Sequence, residues 1–221
     1  MSRKRLTRYD VVVAACALLD DDGLEGFTMA ALGERLGVTG MAVYRHFENR
    51  AALEEAIVAH VLAGMSPADD SVPWDRGVCD WMHALRNALT THPWVSRFLM
   101  HGQVMSTSWL QAASGLQRVL LRIGLSERDA ARELQRISRA ATGFTLLEMT
   151  SPLSQQSASV AAATENLEGE ERRLWLRLAR EFDRYSDDAL YADVVEDTVE
   201  RLRRKEAARR ENVARRRRSI A

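Results

Sequence analysis

The chain has 221 residues, enough for one large domain or two small ones with a hydrophobic core. Hydrophobic residues make up 46% of it and charged residues 28%, with only four prolines, and these values exclude collagen-like, disordered and disulfide-rich proteins. Its two cysteines, Cys16 and Cys79, have the spacing of neither a disulfide framework nor a zinc site. We therefore expect reduced thiols in a cytoplasmic protein.

The formal net charge of zero hides an asymmetry along the chain. Residues 1–50 carry seven Lys and Arg against seven Asp and Glu, residues 51–200 carry fourteen against twenty-two, and residues 201–221 carry ten against two. Both chain ends are locally basic. They favour anionic partners, although solvated charge explains them equally well.

A basic start before the apolar residues 11–19 imitates a secretory signal. Three aspartates follow this run, without a small-residue cleavage site, and no window reaches the 18 apolar residues of a spanning helix. The sequence therefore predicts a cytoplasmic location.

Helical periodicity dominates the chain and strand-like alternation is missing, which predicts an all-α fold. Thr7 and Asp10 have the spacing of a capping box at the start of a first helix, and the Asp run with Gly23 is expected to end it. Thr28 is predicted to cap a short second helix that ends at Gly37.

Thr39 is predicted to cap a third helix after a three-residue turn, with Val43 and Phe47 pointing inward together. A fourth helix is expected to open at Asn49 and to run to Gly64. This arrangement predicts a unit of three helices with a further helix attached.

Residues 66–73 contain two prolines and two acids and form the clearest linker. The predicted domains are 1–65, 66–205 and a basic tail, 206–221. Residues 152–164 are compatible with either a mobile loop or a weak helix. Further helices are predicted at 74–91, 93–101, 106–123, 126–150, 168–184 and from Ser186 past Leu202, the last dissolving at 215–218.

Two short helices joined by a turn with Gly37 are a helix-turn-helix candidate, although three packed helices also serve purely structural roles. Residues 23–53 are more specific, because they resemble the DNA-binding motif of TetR-family transcriptional regulators. The resemblance is close over about the first 60 residues. Beyond them it is limited to the general character of an all-helical ligand-binding and dimerisation domain. It is carried by Tyr44, His46, Phe47, Asn49, Arg50 and Leu53.

The resemblance places base-contacting residues at the head of the third helix, namely Thr39, Gly40, Met41, Ala42 and Arg45. Arg45 has the paired donors that read guanine, whereas Gly40 is a flexible position that removes one base contact. The resemblance implies phosphate contacts for Tyr44, His46, Arg50 and Thr28. Core packing for Tyr44 and a helix-end surface position for His46 remain alternatives.

Apolar stripes on two later helices suit a helical partner. TetR-like proteins dimerise by pairing such helices into a four-helix bundle, so the resemblance implies a homodimer that spans a palindromic operator. The alternative is that both stripes face their own core. The stripes comprise Leu134, Ile137, Ala141 and Phe144, then Tyr191, Val195, Val199 and Leu202.

Aromatic and methionine side chains between the linker and these helices suit an apolar small-molecule pocket, and they equally suit a core. The resemblance implies an effector site in this region. Its candidates are Trp81, Met82, Trp94, Phe98, His101, Met105, Trp109 and Phe144.

No catalytic motif, phosphate-binding glycine loop or metal-ligand spacing is found in the sequence. We therefore predict no enzyme activity, no cofactor and no metal. The prediction is a ligand-responsive, homodimeric DNA-binding repressor. A ligand-independent DNA-binding dimer and an all-α enzyme with an aromatic substrate cavity are the alternatives.

Overall fold

The computed structural model describes residues 5–65, 71–101, 106–182 and 184–218, and within these ranges every regular element is helical. The all-α prediction is confirmed. A 3-10 turn, Thr164–Asn166, follows the ninth helix. The α-helices are α1 (Arg8–Gly26), α2 (Met29–Arg35), α3 (Gly40–Val43), α4 (Arg50–Leu62), α5 (Trp74–Thr91), α6 (Val95–His101), α7 (Thr107–Arg122), α8 (Glu127–Thr150), α9 (Leu153–Ala163), α10 (Gly169–Phe182) and α11 (Asp187–Arg218).

The chain divides into two compact units. The first unit joins Met1–Pro67 to Asn87–Gly115, and the second joins Ala68–Arg86 to Leu116–Ala221. The division falls inside α5 and α7, so each of these two helices contributes residues to both units. Helices α1–α4 and α6 belong to the first unit, and α8–α11 belong to the second.

Side-chain caps begin α1, α2 and α4, and the caps predicted at Thr7 and Thr28 are confirmed. Thr7 and Asp10 form a reciprocal capping box, in which each side chain accepts a hydrogen bond from the other residue's amide. The side-chain oxygens of Thr28 and Asn49 each accept from the amide three residues on, at 3.0 and 2.9 Å. Each cap satisfies an amide that has no partner inside its helix, so local chemistry fixes these starts.

The predicted interruption of the first helix at Gly23 is confirmed. Gly23 has a φ of +67°, and its non-helical backbone angles separate the long first part of α1 from the short stretch that ends at Gly26. Glycine adopts this conformation without a Cβ penalty, so the helical geometry breaks here. Helix α4 ends at Leu62, slightly before the predicted Gly64.

The core of the first unit is apolar and closed. Burying each of its large side chains contributes about 1.5–3 kcal/mol to stability. Cys16 lies in the same core, and burial raises the pKa of its thiol to about 11. Fully buried side chains here include Val11, Ala15, Leu32, Val43, Leu53 and Ile57.

Two carboxylates tie α1 and α4 to later segments of the first unit. Asp20 Oδ1 accepts from Trp94 Nε1 at 2.6 Å and lies 2.8 Å from His92 Nδ1. Glu55 Oε1 accepts from the backbone amide of Ser108 at 3.0 Å and also from its hydroxyl. Charged acceptors make stronger hydrogen bonds than neutral ones, so both links hold α1 and α4 firmly within this unit.

In the second unit, a buried carboxylate joins α8 to α11. Glu133 is fully buried, with Lys205 Nζ at 3.1 Å and Arg201 Nε at 3.2 Å. Burial alone would raise the pKa of Glu133, but the two cations lower it below its ordinary value. The side chain is therefore kept ionised and paired inside the unit.

A second polar cluster joins α5, α8 and α11. Arg86 donates two hydrogen bonds to Glu148, at 2.8 and 2.6 Å, and a third to Asp188 at 2.6 Å. The buried hydroxyl of Tyr191 donates to the carbonyl of Met82 at 2.6 Å. The paired geometry of the Arg86–Glu148 contact fixes orientation as well as distance.

Residues 153–163, whose composition allowed a loop or a weak helix, form the regular helix α9. The prediction that the last helix dissolves at 215–218 is wrong, because α11 continues to Arg218. Arg209 helps to hold this extension, since its Nη1 donates to the carbonyl of Ile123 at 3.4 Å. A Cβ at Gly124 would overlap the Arg209 guanidinium, so the glycine makes room for the contact.

Candidate DNA-binding site

Helices α2 and α3 form a helix-turn-helix pair whose backbones touch. Gly37 turns the chain between them with a φ of +65°, in the region that favours glycine. A Cβ on Gly33 of α2 would lie 2.6 Å from the backbone nitrogen of Gly40 of α3. A Cβ on Gly40 would lie 2.8 Å from the carbonyl oxygen of Met29. Two glycines therefore set the distance and angle between the helices.

This contact corrects the interpretation of Gly40 as a flexible position at the head of the recognition helix. Its missing side chain would point at the backbone of Met29 in α2, so a contact from Gly40 to DNA is limited to its own backbone. Gly33 was not predicted to take part in this contact. The available signal was a small residue four positions before the turn glycine.

The other side chains of α3 and the turn after it divide into an inner and an outer set. Val43 and Phe47 are buried at 0% and 2% exposure, as predicted. Met41 is 75% exposed and Tyr44 38%, which removes core packing as the role of Tyr44. Thr39 and Arg45 are exposed, and Ala42 and His46 are half-buried. The predicted base-contacting side chains thus lie on or near the surface.

Helix α3 is a single turn with little stabilisation of its own. Thr39 is its N-cap residue, with extended backbone angles of −77° and 150°, but its hydroxyl makes no capping hydrogen bond. The predicted cap is therefore correct in position only. The orientation of so short a helix depends on contacts with the rest of the unit.

Two of the predicted phosphate-binding residues already have partners inside the protein. The Thr28 oxygen accepts from a backbone amide of α2, which leaves its O–H as the donor for a phosphate. Arg50 Nε donates to Glu54 at 2.7 Å, and its guanidinium carbon lies 5.0 Å from the centre of the Phe27 ring. Both side chains are exposed, so they remain reachable from solvent.

The candidates for ligand binding in the first unit differ in burial. Trp94 is 6% exposed, its indole N–H is bonded to a carboxylate of α1, and its ring centre lies 5.9 Å from that of Phe98. Phe98 and Trp109 are half-buried. The side chain of His101 and the whole of Met105 lie outside the described residues. Trp94 is therefore a core residue, whereas Phe98 and Trp109 retain surface for a ligand.

In the second unit, Trp81 and Met82 are core residues at 4% and 0% exposure. Phe144 is half-buried, with its ring centre 5.4 Å from that of Tyr191. Of these three, Phe144 retains accessible surface.

The residues predicted for the dimer interface are mostly covered by the chain itself. Their burial, between 0% and 5% exposure, means that they are covered by other residues of the same chain, which was the alternative interpretation. Leu134 and Phe144 are half-buried. An amphipathic stripe identifies a buried face but not the helix that covers it. The covered residues are Ile137, Ala141, Tyr191, Val195, Val199 and Leu202.

A different stripe of α8 is open. Ala140 and Gly143 are half-buried, and Leu147 is 66% exposed. A Cβ on Gly143 would meet no atom within 4 Å. These positions are spaced three and four apart and therefore share one side of the helix.

The described ranges hold no group of three or more His, Cys, Asp or Glu residues that could bind a metal ion. Within the same ranges, we find no helix of the length and apolarity needed to cross a bilayer.

The chain resembles known regulators over both of its predicted domains. Residues 11–57 match the family described as bacterial regulatory proteins, tetR family, and residues 66–184 match the tetracyclin repressor-like C-terminal domain. The tetracycline repressor protein class C of Escherichia coli is 32% identical over 165 residues, which are 73% of this chain and 71% of that protein.

Solved structures have the same fold. ActR of Streptomyces coelicolor, solved in complex with actinorhodin, is 20% identical with a TM-score of 0.75, over 90% of this chain and 96% of its own. BioQ, solved with its double-stranded DNA operator, is 28% identical with a TM-score of 0.57, over 80% of this chain and 97% of its own. The close-packed α2–α3 pair and these matches define a helix-turn-helix transcriptional regulator. The chain belongs to the tetR family of bacterial regulatory proteins.

Proposed function

We propose that the protein is a homodimeric repressor that binds a palindromic operator and leaves it when a small apolar molecule binds. The observation that carries the DNA contact is the exposed side of α3, held at a fixed angle by the Gly33–Gly40 approach. Arg45 supplies paired donors for guanine O6 and N7, and Met41 and Ala42 offer apolar contact to a thymine methyl.

The residues around α3 supply contacts to the DNA backbone. Tyr44 and Arg50 are exposed, and His46 is half-buried at the end of the same segment. Thr28 lies at the N-terminus of α2, where a free hydroxyl proton and the helix amides favour a phosphate. These contacts set the register of α3 on the duplex, whereas Arg45 reads the sequence.

A second copy of the chain is needed to present two recognition helices to two half-sites. We place its contact on the open stripe of α8 formed by Ala140, Gly143 and Leu147. Small side chains at two of the three positions permit the close approach of a partner helix. The exposed Leu147 supplies apolar surface that a partner would cover.

The proposed effector binds in the region that matches the tetracyclin repressor-like domain, and the actinorhodin complex of ActR supports a small-molecule site in this fold. Phe98, Trp109 and Phe144 are the candidates with accessible surface. A ligand releases DNA only through its higher affinity for the DNA-incompetent state, and a tenfold effect requires about 1.4 kcal/mol.

The proposed place of action is the cytoplasm, where a bacterial operator is accessible. We keep 1–65 and 66–205 as the functional domains, since the two family matches fall within these limits. The basic residues 206–221 form the remaining segment. Neither operator binding nor effector binding requires a cofactor or an enzymatic step.

DNA titration tests the proposal directly. The full-length protein is titrated by fluorescence anisotropy onto fragments of its own upstream DNA and onto random DNA, at several salt concentrations. A fragment bound at least about 1,000-fold more tightly than random DNA is expected of a specific regulator. Equal binding to all fragments would contradict the proposal.

A thermal-shift screen of apolar compounds tests the ligand response. A stabilising compound should also release the protein from the operator fragment. Operator binding without any compound that releases it would instead identify a ligand-independent regulator.

A further inference from the structure

Two contacts from α1 reach the chain at the end of the turn that follows the recognition helix α3. Arg8 is the first residue of α1, and its Nη1 donates to the carbonyl oxygen of His46 at 2.9 Å. The same guanidinium lies over the ring of Phe47, with 4.0 Å between the guanidinium carbon and the ring centre. One side chain thus contacts two consecutive residues, one through a hydrogen bond and one through its flat face.

Both ends of this contact are themselves fixed. Arg8 follows directly on Thr7, whose capping box with Asp10 sets the start of α1. The Phe47 ring is 2% exposed and packed in the core of the first unit. The Arg8 guanidinium therefore connects the fixed start of α1 to the fixed ring of Phe47 and to the carbonyl of His46, the last residue of the turn after α3.

The need for such a bridge follows from the shortness of α3. Four residues form one turn, and the cap residue Thr39 contributes no side-chain hydrogen bond. The glycine contact with α2 holds the beginning of this helix. Its other end is held by the buried Val43 and by the following turn, in which the amides of Arg45 and His46 donate to the carbonyls of Ala42 and Val43 at 3.3 and 2.9 Å. Arg8 adds a contact from α1 to the end of this short turn.

We propose that Arg8 is a positioning residue that fixes the C-terminal end of the recognition helix, and so the direction in which Arg45 meets the bases. This inference rests on the proposed DNA contact of α3. It differs from the simple expectation for a basic N-terminal arm, in which Arg8 would be one more phosphate-binding charge. A guanidinium carries five N–H donors, so the geometry alone does not separate these roles and the experiment must do so.

Substitution by lysine separates the two roles. Arg8→Lys keeps the positive charge, which suffices for a phosphate, but lacks the planar fork and the flat face. We expect operator affinity to fall about tenfold, with binding to random DNA nearly unchanged and the slope of log K against log salt preserved. Hydrogen exchange of the backbone amides at 44–47 should become faster. The midpoint of urea unfolding should stay within the range of the control variant.

Arg5→Lys is the matched control, because Arg5 is an exposed arginine of the same arm. It should leave both affinities and the exchange rates unchanged. Wild-type operator affinity and exchange in Arg8→Lys would overturn the inference. So would an Arg8→Ala variant that loses operator and random binding equally and whose salt slope falls by about 0.9, the signature of one phosphate contact. Absence of operator binding by the wild type would instead refute the proposed function.

Discussion

Replacement of Gly40 by alanine should push the recognition helix away from α2. The added Cβ would lie 2.8 Å from the carbonyl oxygen of Met29 and 3.2 Å from its carbonyl carbon. Both are backbone atoms, so only a shift of a helix relieves the overlap. Overpacking lowers the free energy of unfolding by about 1–3 kcal/mol. Alanine also restricts the unfolded chain more than glycine does, which raises the free energy of unfolding by about 0.4–1 kcal/mol. We expect a net loss of about 1–2 kcal/mol.

Urea unfolding measures this loss, and anisotropy with operator and random DNA measures its effect on recognition. Operator affinity should fall more than random binding, since α3 is displaced while the basic side chains remain. Gly64→Ala is the matched control in the same unit, because a Cβ there would meet only the Val61 carbonyl oxygen, at 3.8 Å. Equal results for the two variants, or a stabilised Gly40→Ala, would refute the close-contact argument.

The other predictions concern the DNA contacts, the dimer and the buried carboxylate. Arg45→Ala should weaken operator binding by about 1–3 kcal/mol and spare random DNA, whereas Arg50→Ala should weaken both and lower the salt slope; anisotropy titrations check this. Leu147→Glu should shift sedimentation towards the monomer, whereas Leu121→Glu, at another exposed leucine (41%), should not. The neighbouring cations lower the pKa of Glu133, so its ionised form stabilises the fold above about pH 4.3, and this stabilisation is lost as the pH falls through the folded-state pKa. The free energy of unfolding, measured with urea from pH 7 to pH 3, should therefore decline less steeply in Glu133→Gln than in the wild type.

Local chemistry made the helix starts predictable from the sequence. Thr7, Thr28, Asn49 and Ser126 each bond to an amide three residues on, so the information lies within four residues of chain. The resemblance to TetR-family regulators identified the DNA-binding motif, and the inward and outward positions of that motif lie within one short segment. The exposure of Met41 and Tyr44 and the burial of Val43 agree with that pattern.

Contacts between distant segments were not predictable in this way. The apolar stripe with Ile137 and Ala141 has the period of a buried helix face, but periodicity does not identify the neighbour, and in the structure the same chain covers it. Gly40 is similar, since its role depends on the backbone of α2 eleven residues earlier. The role of Arg8 could not be predicted either, because its partners, His46 and Phe47, are almost forty residues away.

The reach of α11 determines where the chain can be shortened. The sequence changes from acidic to basic near residue 201, and a protein engineer would trim the chain soon after that point. Arg209, however, bonds to a carbonyl at the end of α7, where a helix has backbone acceptors without partners of their own. A shortened form that ends after Arg210 keeps this cap and still removes Arg215–Arg218. A reporter or affinity tag fused at that point leaves the contact between Arg209 and Ile123 in place.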